Sequence, residues 1–266
     1  MQNATHKIIH KEFMGDHLVE VRDSATQRSL YFDSQHLQSA MSLLRPEELI
    51  LSYTRFMLLG LLINPQPRNI LIIGLGSGSF VRFFNHYFPE CGIYAVDYSQ
   101  HVIDLAKGYF QLPEGENIHI YCSDGAIFIR EHIGPEKYDL ILVDAFDAQG
   151  MAPTVYSESF IASAKEKLTA AGSISLNLWT NDKKQFGAIK RTLSRTFSGC
   201  LLLPVPDRGN VVALTMNGDV PWERIDNSAM NTKILSNRLQ LDFKQLIRIA
   251  KLNNHSLKGR LKALFS

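Results

Sequence analysis

An apolar run that empties into three alternating glycines, Ile70-Leu-Ile-Ile-Gly-Leu-Gly-Ser-Gly-Ser79, constrains this chain more than any other stretch. A strand that ends in such a turn hands its direction to a helix. Gly74 can take the tight turn at positive φ, while Gly76 and Gly78 carry no Cβ to hold a ligand off the main chain. The result is a backbone cradle suited to a nucleotide, although an ordinary strand-to-helix turn of an α/β protein has the same pattern. The next acid narrows the choice. Ile93-Tyr-Ala-Val96 reads as a second buried strand ending at Asp97, about one βαβ unit downstream, where a carboxylate can accept both hydroxyl hydrogens of a ribose. The same aspartate could instead cap the helix expected from 100. The third glycine of a dinucleotide fingerprint would fall at Ser79, so the loop fits a methyltransferase-type nucleoside site better than an NAD site.

From residue 70 onward apolar runs alternate with helical segments. Strands are expected near 70–73, 93–96, 118–121, 139–143 and 173–178, with helices near 79–88, 100–109, 123–132, 157–169 and 182–196. Two further strands, 199–204 and 210–216, are joined too closely for a helical crossover and form an antiparallel hairpin at the sheet edge. Ahead of this core, residues 7–14, 17–22 and 28–32 read as three short strands, and Pro46 with Glu47 and Glu48 opens a helix that continues to Ile63. The fold class is α/β: a Rossmann-like, methyltransferase-type sheet of seven strands preceded by a small antiparallel β module. The divisions expected are 1–45 for the module, 46–220 for the nucleoside-binding catalytic domain and 221–266 for a basic helical extension.

With 266 residues, 45% of them hydrophobic and 20% charged, the chain can bury a sizeable core. A net charge of +2 gives no global field that argues for nucleic acid. Cys91, Cys122 and Cys200 are scattered and odd in number, which favours a reducing compartment, and the amino terminus lacks a secretory pattern, so the cytoplasm is expected. The run Phe56–Ile63 is too short to cross a bilayer, so no membrane partner is expected. His6 and His10 lie on a strand-like segment and would not share a helical face, which argues against a metal there. One local feature stands apart: from Asn231 onward eight lysines and arginines, Lys233 to Lys262, face a single acid, Asp242. A solvated helix face is the commoner meaning of such a run, and an anionic partner is the other.

Ligands of open α/β sheets sit outside the carboxyl ends of the strands. Four aspartates fall there: Asp97 after the second strand, Asp124 after the third, and Asp144 and Asp147 after the fourth. Each alone could be a helix cap, Asp124 before Gly125 most of all. At this point the sequence between 30 and 216 resembles the spermidine synthase family of polyamine aminopropyltransferases. Leu30-Tyr-Phe-Asp33-Ser-Gln-His-Leu-Gln38 is similar to its Leu-Asp-Gly-x-x-Gln segment, and Ile72-Ile-Gly74-Leu-Gly76-Ser77-Gly78 to its Gly-Gly-Gly-Asp-Gly-Gly loop. Asp97 resembles its ribose-binding acid and Ser123-Asp124-Gly125-Ala its adenine-binding pair. Asp144-Ala-Phe-Asp147-Ala-Gln-Gly150-Met-Ala-Pro153 resembles its Asp-Ser-Ser-Asp-Pro active-site loop.

The resemblance implies a transferase that binds decarboxylated S-adenosylmethionine through Gln38, Gly74, Gly76, Ser77, Gly78, Asp97, Asp124 and Gly125. It also implies Asp144 as the proton acceptor, Asp147 as a holder of the attacking amine, a small-molecule amine as acceptor and a homodimer as the assembly. A neutral thioether leaves, so no developing anion calls for a metal. Three departures bear on specificity. The family's loop aspartate is Ser77 here, which removes a repulsion of about 4 kcal/mol, at ~4 Å and an effective dielectric near 20, against the carboxylate of S-adenosylmethionine itself. The family's Tyr-His-Glu stretch falls around Leu49–Tyr53, where no acid is present and three residues are inserted after Gln38. Phe146 replaces a small serine between the two aspartates. Two alternatives therefore stay open: an S-adenosylmethionine-dependent methyltransferase, and a non-catalytic nucleoside-binding protein acting through its basic tail.

Overall fold

Strict two-residue alternation in the strand before the glycines explains the layers of the molecule. Ile70 and Ile72 point into one apolar cluster, Leu71 and Ile73 into another, and all four are buried. The computed structural model describes residues 6–34, 36–131, 134–147, 150–206, 209–226 and 229–254. Its amino-terminal part is an antiparallel sheet of β1 (Lys7–Met14), β2 (His17–Asp23), β3 (Gln27–Phe32) and β4 (His36–Ser42), in that order. The fourth strand was not expected from the sequence. Its polar residues hide the alternation, and pairing with β3 from Gln27↔Ser42 to Phe32↔His36 supplies what local pattern does not.

The helix expected from Pro46 is also shorter than the sequence implies. Pro46, Glu47 and Glu48 lie in a turn, Leu51 is extended, and α1 spans only Ser52–Met57 before a 3-10 turn at Leu58–Leu62. Buried Leu49 and Leu51 anchor the incoming segment, and Arg82 Nε donates to the Pro46 carbonyl at 2.8 Å. The helical pattern was real, but tertiary anchors start it six residues later.

The core sheet joins β5 (Asn69–Ile73), β6 (Gly92–Asp97), β7 (Ile118–Cys122), β8 (Tyr138–Val143), β11 (Leu168–Trp179), β12 (Gly199–Pro204) and β13 (Asn210–Met216). The order is β12-β13-β11-β8-β5-β6-β7, with every strand running the same way except β13, which pairs antiparallel with both β11 and β12. A two-stranded ribbon of β9 (Phe146–Asp147) and β10 (Gly150–Met151) lies between β8 and β11. One face of the sheet is covered by α2 (Ser79–Tyr87), α3 (Gln100–Tyr109) and the carboxyl-terminal helices, the other by α4 (Gly125–Glu131), α5 (Glu158–Glu166) and α6 (Lys183–Thr196). Ser99, Ser157 and Asp182 cap α3, α5 and α6 through their side chains.

After α7 (Trp222–Asp226), α8 (Ala229–Leu239) and α9 (Phe243–Asn254) bury Leu235, Leu239, Phe243, Leu246 and Ala250 in the same cluster as the sheet, while Lys233, Lys244 and Arg248 stay exposed. Lys258, Arg260 and Lys262 lie outside the described residues. No helix among the described residues is long and apolar enough to cross a membrane.

The chain runs outward from β5 to β6 and β7, then returns to the other side of β5 as β8. That reversal places the crevice at the carboxyl ends of β5 and β8.

Candidate functional site

A cavity of about 690 Å3 opens at this crevice, within the range of small-molecule sites. Gly74, Leu75 and Gly76 line it from the glycine loop, and Leu30, Phe32, Gln38 and Ser39 reach it from the β module. Gly74 is at φ +94°, and a Cβ there would lie 2.2 Å from the Asp144 carbonyl oxygen. Only glycine lets the end of β5 pass so close to the end of β8. Gly76 and Gly78 also have positive φ, and Gly78 begins α2 behind the cavity wall.

Asp97 is 8% exposed and lines the cavity. Its Oδ2 accepts from Leu75 N at 2.9 Å and its Oδ1 from Ser99 N at 3.0 Å. Burial pushes its carboxyl above the usual range, against the opposing pull of N–H groups from Ser99, Leu75 and Gly76. The loop amides that would cradle a phosphate are thus turned onto a carboxylate.

Asp124 caps a helix and also lines the cavity. Its Oδ1 caps α4 by accepting from Ala126 N at 2.8 Å and Ile127 N at 3.1 Å, and its Oδ2 accepts from Thr154 Oγ1 at 3.0 Å on the cavity wall. Gly125 follows on the wall, where a Cβ would meet Ile73 Cγ2 at 2.5 Å.

Asp144 lies at the end of β8 between two donors. Tyr53 Oη donates to Oδ2 at 2.9 Å and Asn177 Nδ2 to Oδ1 at 2.8 Å. Asn177 Oδ1 in turn accepts from Asn210 Nδ2 at 2.8 Å, so α1, β8, β11 and β13 meet in one polar chain. Burial pushes the Asp144 carboxyl upward, and the bonds from Asn177 and Tyr53 oppose it. Tyr156 donates to the Asn177 carbonyl at 2.8 Å, and burial followed by the charge of Asp144 holds its phenol well above the ordinary value, so it stays neutral. The main chain of Asp147 pairs with Gly150 in the β9–β10 ribbon; its side chain lies outside the described set.

Asp97, Asp124 and Asp144, from three different strand ends, therefore face one cavity. Among the described residues its wall carries these three carboxylates and no lysine, arginine or histidine side chain. Such a site favours cations over anions.

Ser77 lies apart from its companions. It is fully buried, and its hydroxyl shares a 2.6 Å hydrogen bond with Ser39 instead of lining the cavity. Behind it, Arg82 donates to the carbonyls of Ser77, Phe110 and Pro46, tying the glycine loop to α3 and to the turn before α1.

Sequence reasoning reached Tyr53 only as the end of the stretch Leu49–Tyr53 and passed over Asn177, Asn210, Thr154 and Trp179. Asn177 carried a usable signal, since an amide at the end of an apolar strand obeys the same placement rule as the aspartates. For Tyr53 the resemblance marked the stretch but not its partner, which is 91 residues away.

Comparisons with known proteins agree with this geometry. The family model described as the spermine/spermidine synthase domain matches residues 51–206. A polyamine aminopropyltransferase of Chromobacterium violaceum is 36% identical over 248 residues, which cover 91% of this chain and 93% of that protein. One from Neisseria meningitidis is 36% identical over 239 residues, covering 89% and 90%. In the solved structure of a probable spermidine synthase from Corynebacterium glutamicum the same fold appears, with a TM-score of 0.71 at 16% identity over 92% of this chain and 94% of that one. A seven-stranded sheet with this order, an acid-lined crevice at its switch point and these relatives lead to one conclusion: the chain belongs to the spermine/spermidine synthase family.

Proposed function

We propose that this protein is a polyamine aminopropyltransferase, moving the aminopropyl group of decarboxylated S-adenosylmethionine to a small amine. The observation that carries the reading is the convergence of Asp97, Asp124 and Asp144 on one cavity whose described wall holds no basic side chain. Donor and acceptor are both cations, and the relatives at 36% identity bear this activity in their names.

The division of labour follows from the strand ends. Asp97, Asp124, Gly125 and the glycine loop face the part of the cavity near β6 and β7, where an adenosine is to be held. Asp144 faces the part near β11 and β13, where the amine is to enter. An alkylammonium with a pKa near 10 is unprotonated in only about one molecule per thousand at neutral pH, a deficit of roughly 4 kcal/mol. Asp144 accepts that proton while Tyr53 and Asn177 fix the carboxylate's orientation. The nitrogen lone pair then forms the new C–N bond at the carbon beside sulfur, the C–S bond breaks, and its electron pair leaves on a neutral thioether. Burial that raises the Asp144 carboxyl also makes it a stronger base toward the ammonium.

Incubation of the purified protein with a diamine and either decarboxylated S-adenosylmethionine or S-adenosylmethionine tests this directly. The expected products are methylthioadenosine and an aminopropylated amine. Formation of S-adenosylhomocysteine and a methylated acceptor would replace the reading with a methyltransferase, and no product from either donor would remove the transferase assignment.

A further inference from the structure

One face of β1 meets α3 rung by rung. His10, Glu12 and Met14 alternate along the strand with exposed Lys11 and Phe13, so their side chains leave on the same side. His10 Nδ1 is 2.9 Å from Tyr109 Oη at the end of α3, and Glu12 Oε1 is 2.8 Å from His101 Nε2 in its first turn. Met14 Sδ accepts from Ser99 Oγ, the cap of α3, at 3.5 Å. Beside these rungs Val19, Val21, Leu30 and Met41 of the β module share one apolar cluster with Leu105 and Phe110. The seam seats the module on the core, and it ends at the nucleoside half of the cavity. Ser99 N donates to Asp97 Oδ1, and the seated module brings Leu30, Phe32, Gln38 and Ser39 to the cavity wall.

The two imidazoles on Glu12 are not equivalent. An ionised carboxylate only accepts, so the 2.5 Å contact of His10 Nε2 with Glu12 Oε1 places a proton on Nε2 and leaves Nδ1 to accept from Tyr109 Oη. His10 is thus satisfied as a neutral ring. His101 Nε2 is buried and close to the same oxygen, yet it makes no aligned hydrogen bond. What it gains from Glu12 is charge attraction, and only an imidazolium supplies that. Burial works to raise the Glu12 carboxyl, but the His10 hydrogen bond and the charges of His101 and His10 outweigh it and hold the group below the usual carboxylate range.

The other charges around the seam are engaged elsewhere. Arg28 of β3 pairs with Asp23 of β2 and donates to the Tyr109 carbonyl at 2.6 Å, and Lys7 adds its charge near Asp23. Asp104, one turn along α3 from His101, accepts from Gln100 Nε2 at 2.8 Å.

We propose that Glu12 and His101 are a positioning pair: a proton on His101 draws β1 onto α3, seats the module beside Asp97 and tightens the hold on adenosine-containing ligands. This rests on the adenosine half of the reading above and extends it by tying that half's affinity to pH. The pair touches no reacting atom and acts through Ser99 and the module.

Calorimetry with methylthioadenosine, whose neutral thioether makes no demand on Asp144, tests the pair at about pH 6 and about pH 8, on either side of the histidine range. The ratio of Kd at the alkaline to that at the acid pH is expected to be on the order of 2- to 6-fold larger in the parent than in Glu12→Gln or His101→Gln, the modest size suited to a partly exposed pair. Asp97, whose carboxyl burial raises, would act in the opposite direction and is the same in all three proteins. His101→Lys keeps a permanent cation and is expected to bind at pH 8 at least as tightly as the parent. An equal ratio in the parent and both glutamine variants, including a uniform loss of affinity at both pH values, would overturn the proposal. A second readout needs no substitution. Hydrogen exchange corrected for its intrinsic pH dependence is expected to show β1 amides gaining protection relative to those of β5 at the acid pH, and unchanged relative protection would also overturn it. A protein that binds methylthioadenosine but transfers nothing to any amine would sink the transferase reading and leave the pH comparison decisive.

Discussion

Replacing Tyr53 by phenylalanine removes one oxygen and tests how Asp144 is tuned. The lost bond, 2.9 Å from Tyr53 Oη to Asp144 Oδ2, is one of the two side-chain hydrogen bonds that oppose the effect of burial on that carboxyl. A hydrogen bond to a charged group contributes about 1.5–3 kcal/mol, which corresponds to roughly a 10- to 150-fold fall in kcat/KM if the bond is needed for proton acceptance. The direction with pH follows from the sign of the shift. With burial less opposed, the Asp144 carboxyl moves farther up, so its basic form is populated only at higher pH and the acidic limb of the kcat/KM profile moves upward. Stability follows the same linkage. Because the folded-state pKa lies above the unfolded one, the variant's stability deficit is largest at neutral pH and shrinks as pH falls through the folded pKa. Methylthioadenosine release measured across the acid-to-alkaline range, with urea unfolding at neutral and acid pH, reads both effects. A folded variant whose acidic limb coincides with that of the parent would refute the assignment of Tyr53 as a modulator of Asp144.

Asp144→Asn is expected to lower turnover by at least about 100-fold with donor affinity within a factor of about three, read by product release and calorimetry; unchanged turnover would strip Asp144 of its role as proton acceptor. Gly74→Ala places a Cβ 2.2 Å from the Asp144 carbonyl at φ +94° and is expected to cost about 2–4 kcal/mol in urea unfolding, a loss under about 0.5 kcal/mol being inconsistent with that geometry. Arg82→Met leaves the Pro46, Phe110 and Ser77 carbonyls without their buried donor, so about 2–5 kcal/mol of stability is expected to go, with Arg82→Lys recovering only part because an ammonium cannot span three carbonyls. Its guanidinium is already pulled down to about 10 by burial.

What could be read from the sequence was local. Helices with side-chain caps, such as Gln100–Tyr109 behind Ser99 and Lys183–Thr196 behind Asp182, begin where capping chemistry says they begin. The glycine turn and the aspartates at strand ends were legible because backbone sterics and sheet topology fix those positions whatever the rest of the chain does. The start of α1, the strand at His36–Ser42 and the early start of β11 at Leu168 depend on partners far away in sequence. The same separation hid the site's inner polar chain. Tyr53 and Asn177 reach Asp144 across 91 and 33 residues, and nothing in their own neighbourhoods says which carboxylate they serve. Asp97 shows a subtler limit. Its position at the tip of the second strand was evident, but only the structure shows that its carboxylate also holds the glycine loop's own N–H groups.

Calorimetry with a series of adenosine ligands that differ in charge tests the acid-lined cavity most directly. Decarboxylated S-adenosylmethionine is expected to bind more tightly than methylthioadenosine, and both more tightly than adenosine monophosphate, with the first advantage shrinking as salt is raised. Equal or tighter binding of the anionic nucleotide would contradict the claim that Asp97, Asp124 and Asp144 together make this site a receptor for cations.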